Sequence, residues 1–330
     1  MSTNHTHNQP ININHAKKQG ETIKQLRKQK GLSQVALSKD GAINQICSAR
    51  HLRKIENGEV TPSPYILNQF LQILGVSLEE FASLVYGQNQ VKFNNAFIAI
   101  KDLFYDEKYA EASAKLDELK AAEYCNASNL LAAQALLFCD GVLLKNIENE
   151  YTKCLETQLV ALKITAPEVA SKNNIVLADV VASKPCSQNE YLILNLIANT
   201  QLAFGQTHAC IVLLAALISS LENINTRAEL KKDLFPGICF NLSNTLLQEK
   251  RPDEALVYCD KGIAFCETTR TYKTLGEFYY NKARVFYLLG SQEQCEKYFK
   301  RSYEIFINHG DINSANYVKN YVADNYQVII

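Results

Sequence analysis

The chain has no CxxC pair, no apolar leader and no hydrophobic run long enough to cross a bilayer. Its first twenty residues, "MSTNHTHNQPININHAKKQG", are polar throughout, so a secretory leader is not expected. The longest uncharged apolar stretch, "ACIVLLAALISSL" (209–221), is too short for a membrane span. Ten cysteines without that leader, several inside apolar helical patterns such as Cys259 and Cys266, read as small buried hydrophobes in a reducing cytoplasm. A Gly-rich phosphate loop, a nucleophile elbow and a metal-ligand cluster are also missing, which points away from a hydrolase or phosphatase. No catalytic residue, metal or cofactor is assigned. His5, His7 and His15 fall in a polar tail where a metal site is not expected.

Charge is scarce in net terms but uneven in place. The 330 residues carry 34 basic and 34 acidic side chains. Residues 17–60 hold ten of the bases (Lys17, Lys18, Lys24, Arg27, Lys28, Lys30, Lys39, Arg50, Arg53, Lys54) against four acids (Glu21, Asp40, Glu56, Glu59), a net of +6. The rest of the chain is therefore −6. A basic N-terminal module on a mildly acidic body suggests a polyanion partner for the first part only. The length suits two domains or a repeat array.

Punctuation divides the chain. Residues 1–18 read as a flexible tail and 19–87 as a five-helix domain. "ETIKQLRKQKG" stops at Gly31, Ser33 caps "SQVALSK", and Ser48 caps a helix ending near Glu56. Ser63 and Pro64 start "PYILNQFLQIL", which ends at Gly75. Ser77 and Glu80 then form a capping box. From 88 to 330 the helices lengthen and no convincing strand is found, so the fold class is all-α.

That second part repeats itself. "NLIANTQLAFGQTHAC" (195–210), "NLSNTLLQEKRPDEA" (241–255) and "NKARVFYLLGSQEQC" (281–295) each open on an asparagine and enter a second helix through a small residue. Those small residues, Cys210, Ala255 and Cys295, are 45 and 40 apart. Ala112 fits a fourth copy and Cys154 a weaker one. Small residues there let antiparallel helices approach closely, as a helical-hairpin solenoid requires. Residues 166–188 match each copy poorly, and their pairing stays open.

In the first domain, the helices beginning at Ser33 and Ser48 read as a helix-turn-helix. Ala49, Arg50 and His51 lie in the first turn after the Ser48 cap, where base edges are reached. Lys54 follows on the side of Arg50, Arg53 is placed for phosphate, and Leu52 and Ile55 point inward. Asn57-Gly58 ends the helix, with Asn57 in reach of phosphate. The sequence "IKQLRKQKGLSQ…LRKIENG…PSPYILNQFLQILGVSLEEF" resembles the Cro/C1-type (XRE-like) DNA-binding domain of phage repressors. The resemblance implies a phosphate contact from Gln34 and an internal ion pair between Arg27 and Glu56. The spacing from Ser33 to Ser48 exceeds that family's usual one, with the extra residues in "KDGAINQ", so the turn before the recognition helix is expected to be longer.

Such a head followed by tetratricopeptide-like repeats resembles the peptide-responsive quorum-sensing regulators of the Rgg/PlcR/PrgX (RRNPP) group, and "ICSARHLRKIENG" resembles the PlcR/Rgg branch. The resemblance implies a cytoplasmic homodimer that binds operator DNA and a short signalling peptide in the concave face of its repeats. Independently, the first helices of the repeats place Asn195, Asn199, Asn241, Asn244 and Asn281 on one face, where carboxamides suit the main chain of an extended peptide. Arg284 could hold a carboxylate, and Phe240, Tyr280 and Tyr287 would give apolar pockets. The same asparagines could instead cap turns, and the repeats could dock a protein partner. The last segment, "YVKNYVADNYQVII", either packs back on the solenoid or completes a final helix.

Overall fold

Serine side chains start the short N-terminal helices, as their positions in the sequence predict. Ser33 accepts from the Ala36 N–H (3.0 Å) and Ser48 from that of His51 (3.1 Å). Ser63 accepts from Ile66 (3.3 Å), while Ser77 and Glu80 cap each other's backbone reciprocally. The computed structural model describes residues 10–40, 44–125, 129–166, 177–178, 181, 186–223, 228–272, 274–326 and 328. They divide into two units, 1–106 with 117–125, and 107–116 with 126–330.

The first unit holds α1 (Pro10–Gln29), α2 (Gln34–Leu37), α3 (Ala49–Glu56), α4 (Pro64–Leu74), α5 (Leu78–Tyr86) and α6 (Gln88–Tyr105). Ile23, Leu37, Leu52, Ile55, Phe70, Leu74 and Phe81 form its core. The added residues between α2 and α3 make a two-residue antiparallel ladder, Lys39 opposite Gln45 and Asp40 opposite Asn44. Residues 41–43 of "KDGAINQ" lie outside the described part. Helix α6 packs on α5 and clusters with this unit, although 88 was the expected start of the second domain.

One expectation needs correcting. Residues 10–18 are not tail but the first turns of α1, which runs straight through Gly20; residues 1–9 lie outside the described part. Gly20 marks a close crossing, not a helix start: a Cβ there would lie 2.1 Å from the Ile55 carbonyl oxygen of α3. A Cβ on Gly58, which is at φ +74°, would lie 2.5 Å from the Lys17 Cα. Gly20→Ala, which at an ordinary helical site would stabilise, is therefore expected to destabilise the first unit by about 1–3 kcal/mol. Urea unfolding of the full chain measures this; an unchanged or raised midpoint would show that the crossing can open without cost.

In the second unit, α8 (Leu130–Asn146) pairs with α9 (Tyr151–Lys163), and α10 (Gln188–Gln201) with α11 (Thr207–Glu222). The next pairs are α12 (Ala228–Gln248) with α13 (Pro252–Thr269), and α14 (Leu275–Leu288) with α15 (Gln292–Asn308). Helix α7 (Tyr109–Ala121) straddles the two units, and α16 (Ile312–Tyr326) packs on α15. As far as it is described, the final segment completes α16 and packs back, with Val328 buried beside Ala283, Phe299 and Val322; residues 327, 329 and 330 lie outside the described part.

The five small residues of the repeat, Ala112, Cys154, Cys210, Ala255 and Cys295, are all fully buried. Each of two thiols meets a threonine on the first helix of the next hairpin, Cys154 with Thr200 (3.4 Å) and Cys210 with Thr245 (3.9 Å). Small size thus serves packing between hairpins as well as within them. All ten cysteines are free and eight are buried, Cys47 and Cys125 being half-buried. Burial pushes the Cys210 and Cys295 thiols up to about 11, so they are protonated and unreactive at neutral pH. The expected unmatched stretch 166–188 lies mostly outside the described residues, but Ala166, Leu177, Ala178, Val181 and Cys186 are buried.

Candidate functional sites

Helix α3 divides cleanly by face. Leu52, Ile55 and Glu56 are buried, whereas Arg50, Arg53, Lys54 and Asn57 are exposed. At 100° per residue the three cations fall within an arc of about 100°, opposite the two apolar anchors. Ala49 and His51 are half-buried at the flanks, and Ser48 is exposed with its hydroxyl spent on the cap. Asn57 closes the helix and donates to Glu59 (3.0 Å), with Gly58 at positive φ behind it. No helix among the described residues is long and apolar enough to cross a membrane.

The helix is held from inside by a charged network. Arg27 of α1 donates through Nε to Glu56 Oε1 (2.5 Å), through Nη2 to Oε2 (3.0 Å), and through Nη1 to the Leu32 carbonyl (2.8 Å). This is the internal pair the sequence resemblance implies. Burial pushes the Glu56 carboxyl up, but the hydrogen bonds from Arg27 and Gln34 outweigh it and hold the group below its ordinary value. Gln34 is a correction. Its carboxamide donates to Glu56 Oε2 (2.7 Å) within the unit, leaving its backbone N–H at the start of α2 as the group available to phosphate. The sequence marked Gln34 by position, and nothing local signals that its side chain faces inward.

The repeat asparagines come together as two chains of hydrogen bonds. Asn199 donates to the Asn195 carbonyl (2.8 Å) and side chain (3.2 Å), and Asn241 donates to Asn195 Oδ1 (3.0 Å). One hairpin further, Arg284 donates through Nη1 to Asn244 (2.7 Å) and to Asn281 (3.0 Å). Both bonds use one nitrogen, leaving Nε and Nη2 uncommitted to these carboxamides. The guanidinium lies over the Tyr280 ring, 5.8 Å from its centroid.

Asn281 corrects the expectation that it meets a ligand directly. It is fully buried and donates to Ser243 (3.0 Å), so its role is to position Arg284. Ser243 is a partner that the asparagine pattern did not reveal. Phe240 packs edge-on to Phe278 at 6.2 Å, and Tyr280 packs on Phe299 at 5.4 Å; both are half-buried. Tyr287 is 45% exposed and meets Tyr326 of α16 edge-on at 4.8 Å. Tyr326 was not anticipated as a neighbour of this site. Burial raises its phenol, and the nearby Arg284 opposes that shift.

Comparison with known proteins matches a helix-turn-helix family model to residues 23–81 and the model of the RNPP family C-terminal domain to residues 147–322. Among solved structures, the chain resembles PlcR of Bacillus thuringiensis in complex with the peptide PapR7 and DNA. That match has a TM-score of 0.63 and 20% identity, and covers 94% of this chain and all of that one. The apo form of PlcR gives a TM-score of 0.56 at 19% identity over 92% and 98% of the two chains. The SHP pheromone receptor Rgg2 of Streptococcus dysgalactiae gives 0.51 at 15% identity over 94% and 100%. At these identities the likenesses speak for the fold. No curated protein sequence matches the chain.

Proposed function

The chain belongs to the RNPP family, and from that premise we propose that it is a sequence-specific DNA-binding transcriptional regulator controlled by a short signalling peptide. The observation that carries the reading is the split of α3, which is bolted to α1 by Arg27–Glu56 and turns Arg50, Arg53 and Lys54 outward. In this reading the start of α3 enters the major groove. Arg50 takes a guanine edge, Ala49 and His51 flank it, and Arg53, Lys54, Asn57 and the Gln34 backbone N–H meet phosphates. One such head reads one half-site, so the regulator works as a homodimer on a two-fold operator. DNA in the cytoplasm is its place of action, and regulation, not catalysis, is its task.

The peptide is assigned to the face bearing Asn195, Asn199, Asn241 and Asn244. Carboxamides already tied to one another present fixed donors and acceptors to a peptide main chain. A ladder of amides suits the main chain of an extended peptide, which favours a peptide over a protein partner. Arg284 takes a ligand carboxylate, and Phe240, Tyr280 and Tyr287 border its side chains. The solved complex of PlcR contains both a peptide and DNA, which is consistent with this division of labour.

The direct test sequences DNA fragments that co-purify with the protein, with and without peptides from culture supernatant. A shared two-fold motif whose recovery changes with the peptides is expected; fragments without a motif would sink the reading. Asn244→Ala is expected to abolish the peptide response and leave peptide-free DNA binding intact. Loss of folding in that variant would make Asn244 a structural residue only.

A further inference from the structure

Twelve glycines are described, and eleven have a structural reason. Seven sit at positive φ, and at Gly20, Gly141, Gly262 and Gly276 a Cβ would collide with a neighbour. Gly237 alone has neither reason: it lies inside α12 at an ordinary helical φ, and a Cβ there would meet nothing within 4 Å. Glycine is among the residues that weaken a helix interior most. It also follows Pro236, which lacks the N–H that would bond the Lys232 carbonyl. The chain thus places its two weakest helix formers side by side, with no contact among the described residues that needs the glycine.

Position explains what packing does not. Gly237 is four residues before Asn241 and seven before Asn244, on the face that carries the carboxamides. The Asn241–Asn195 and Asn281–Ser243 bonds set the register of α12 against α10 and α14. One turn before the bonded pair Asn195 and Asn241 stand Leu192 on α10 and Gly237 on α12. Leu192 and Gly237 are partly exposed, as is Phe240 three residues on. Helix α12 is therefore bare backbone one turn before Asn241, with Phe240 three residues further along the same helix.

We propose that this bare site is the specificity pocket of the peptide site, taking one large apolar side chain of the bound peptide. The inference rests on the peptide reading above. The main chain of the ligand lies on Asn195 and Asn241, and one of its side chains drops past the bare backbone of Gly237 alongside Leu192 and Phe240. A methyl at 237 shortens the pocket, and a leucine fills it.

The test pans a phage-displayed library of random heptapeptides against the full-length protein and its Gly237→Ala and Gly237→Leu variants. Circular dichroism and urea midpoints should match or exceed wild type in both, because an added Cβ meets open space. Wild type is expected to select heptapeptides sharing one large apolar position. Gly237→Leu should bind the best of them about tenfold or more weaker, yet bind its counterpart with alanine at that position better than wild type does. Gly237→Ala, which changes one methyl only, should select a smaller residue at the same place and carries the test if the leucine variant folds poorly. Identical selections by all three proteins would overturn the pocket and leave the peptide reading standing. A basic residue selected at that position would overturn its apolar character. No enrichment by wild type would overturn both.

Discussion

Replacing Glu56 with glutamine is expected to cost the first unit about 3–5 kcal/mol, a large part of the roughly 5–15 kcal/mol typical of a folded domain. The Glu56 side chain is 1% exposed and that of Arg27 10%, so neither can turn to water when its partner is lost. A glutamine keeps the shape and can still accept one hydrogen bond, but it leaves the Arg27 guanidinium buried without a counter-charge. The same carboxylate also receives the Gln34 carboxamide, so one substitution loosens α1, α2 and α3 together. Replacing both members by apolar residues, Arg27→Met with Glu56→Leu, should recover most of the loss, because the penalty comes from the orphaned charge and not from the missing pair. Hydrogen exchange of the α1 and α3 amides in the full chain reads this locally. A loss below about 1 kcal/mol would mean that the pair is wetter than its burial implies.

The pH dependence follows with a fixed sign. The Glu56 carboxyl is held below its ordinary value of 4.5, burial opposing and the Arg27 and Gln34 hydrogen bonds prevailing. A depressed carboxyl stabilises the folded state fully above its unfolded value and loses that contribution as pH falls through the folded one. Wild type and Glu56→Gln should therefore differ most at neutral pH and converge below about pH 4.5. A constant gap down to strong acid would assign the cost to packing instead of charge.

What was legible beforehand was what local chemistry decides. Ser33, Ser48, Ser63 and the Ser77–Glu80 box act within three residues of themselves, so a single chain suffices to place them. The small residues Cys154, Cys210, Ala255 and Cys295 were legible because a repeat writes the same requirement several times. Positions whose meaning depends on distant partners were not. The close crossing at Gly20 depends on the Ile55 carbonyl, thirty-five residues away, so the chain around the glycine does not reveal it. Asn281 reads like Asn241, and only Ser243, thirty-eight residues away, makes it a buried support instead of a contact. The extra residues in "KDGAINQ" announced a longer turn but not the Lys39–Gln45 ladder, since two pairs leave no alternation to detect.

The second large effect concerns the outward face of the same helix. Arg50→Ala, Arg53→Ala and Lys54→Ala together are expected to lower operator affinity about a thousandfold at physiological salt. The estimate combines about 1–3 kcal/mol for a bidentate guanine contact with two lost phosphate contacts of roughly fivefold each. All three side chains are exposed and none is part of the Arg27–Glu56–Gln34 network, so folding should be untouched. The single variants separate the roles. Arg50→Ala should relax preference at one base position. Arg53→Ala and Lys54→Ala should instead weaken all sequences alike, each lowering the slope of log affinity against log salt by about one. The two kinds of variant thus move different observables, a base preference and a salt slope. Were Arg50→Ala to change the slope and leave base preference intact, α3 would lie across the backbone instead of in the groove. The placement of its N-terminus at base edges would then be wrong even though the helix binds DNA.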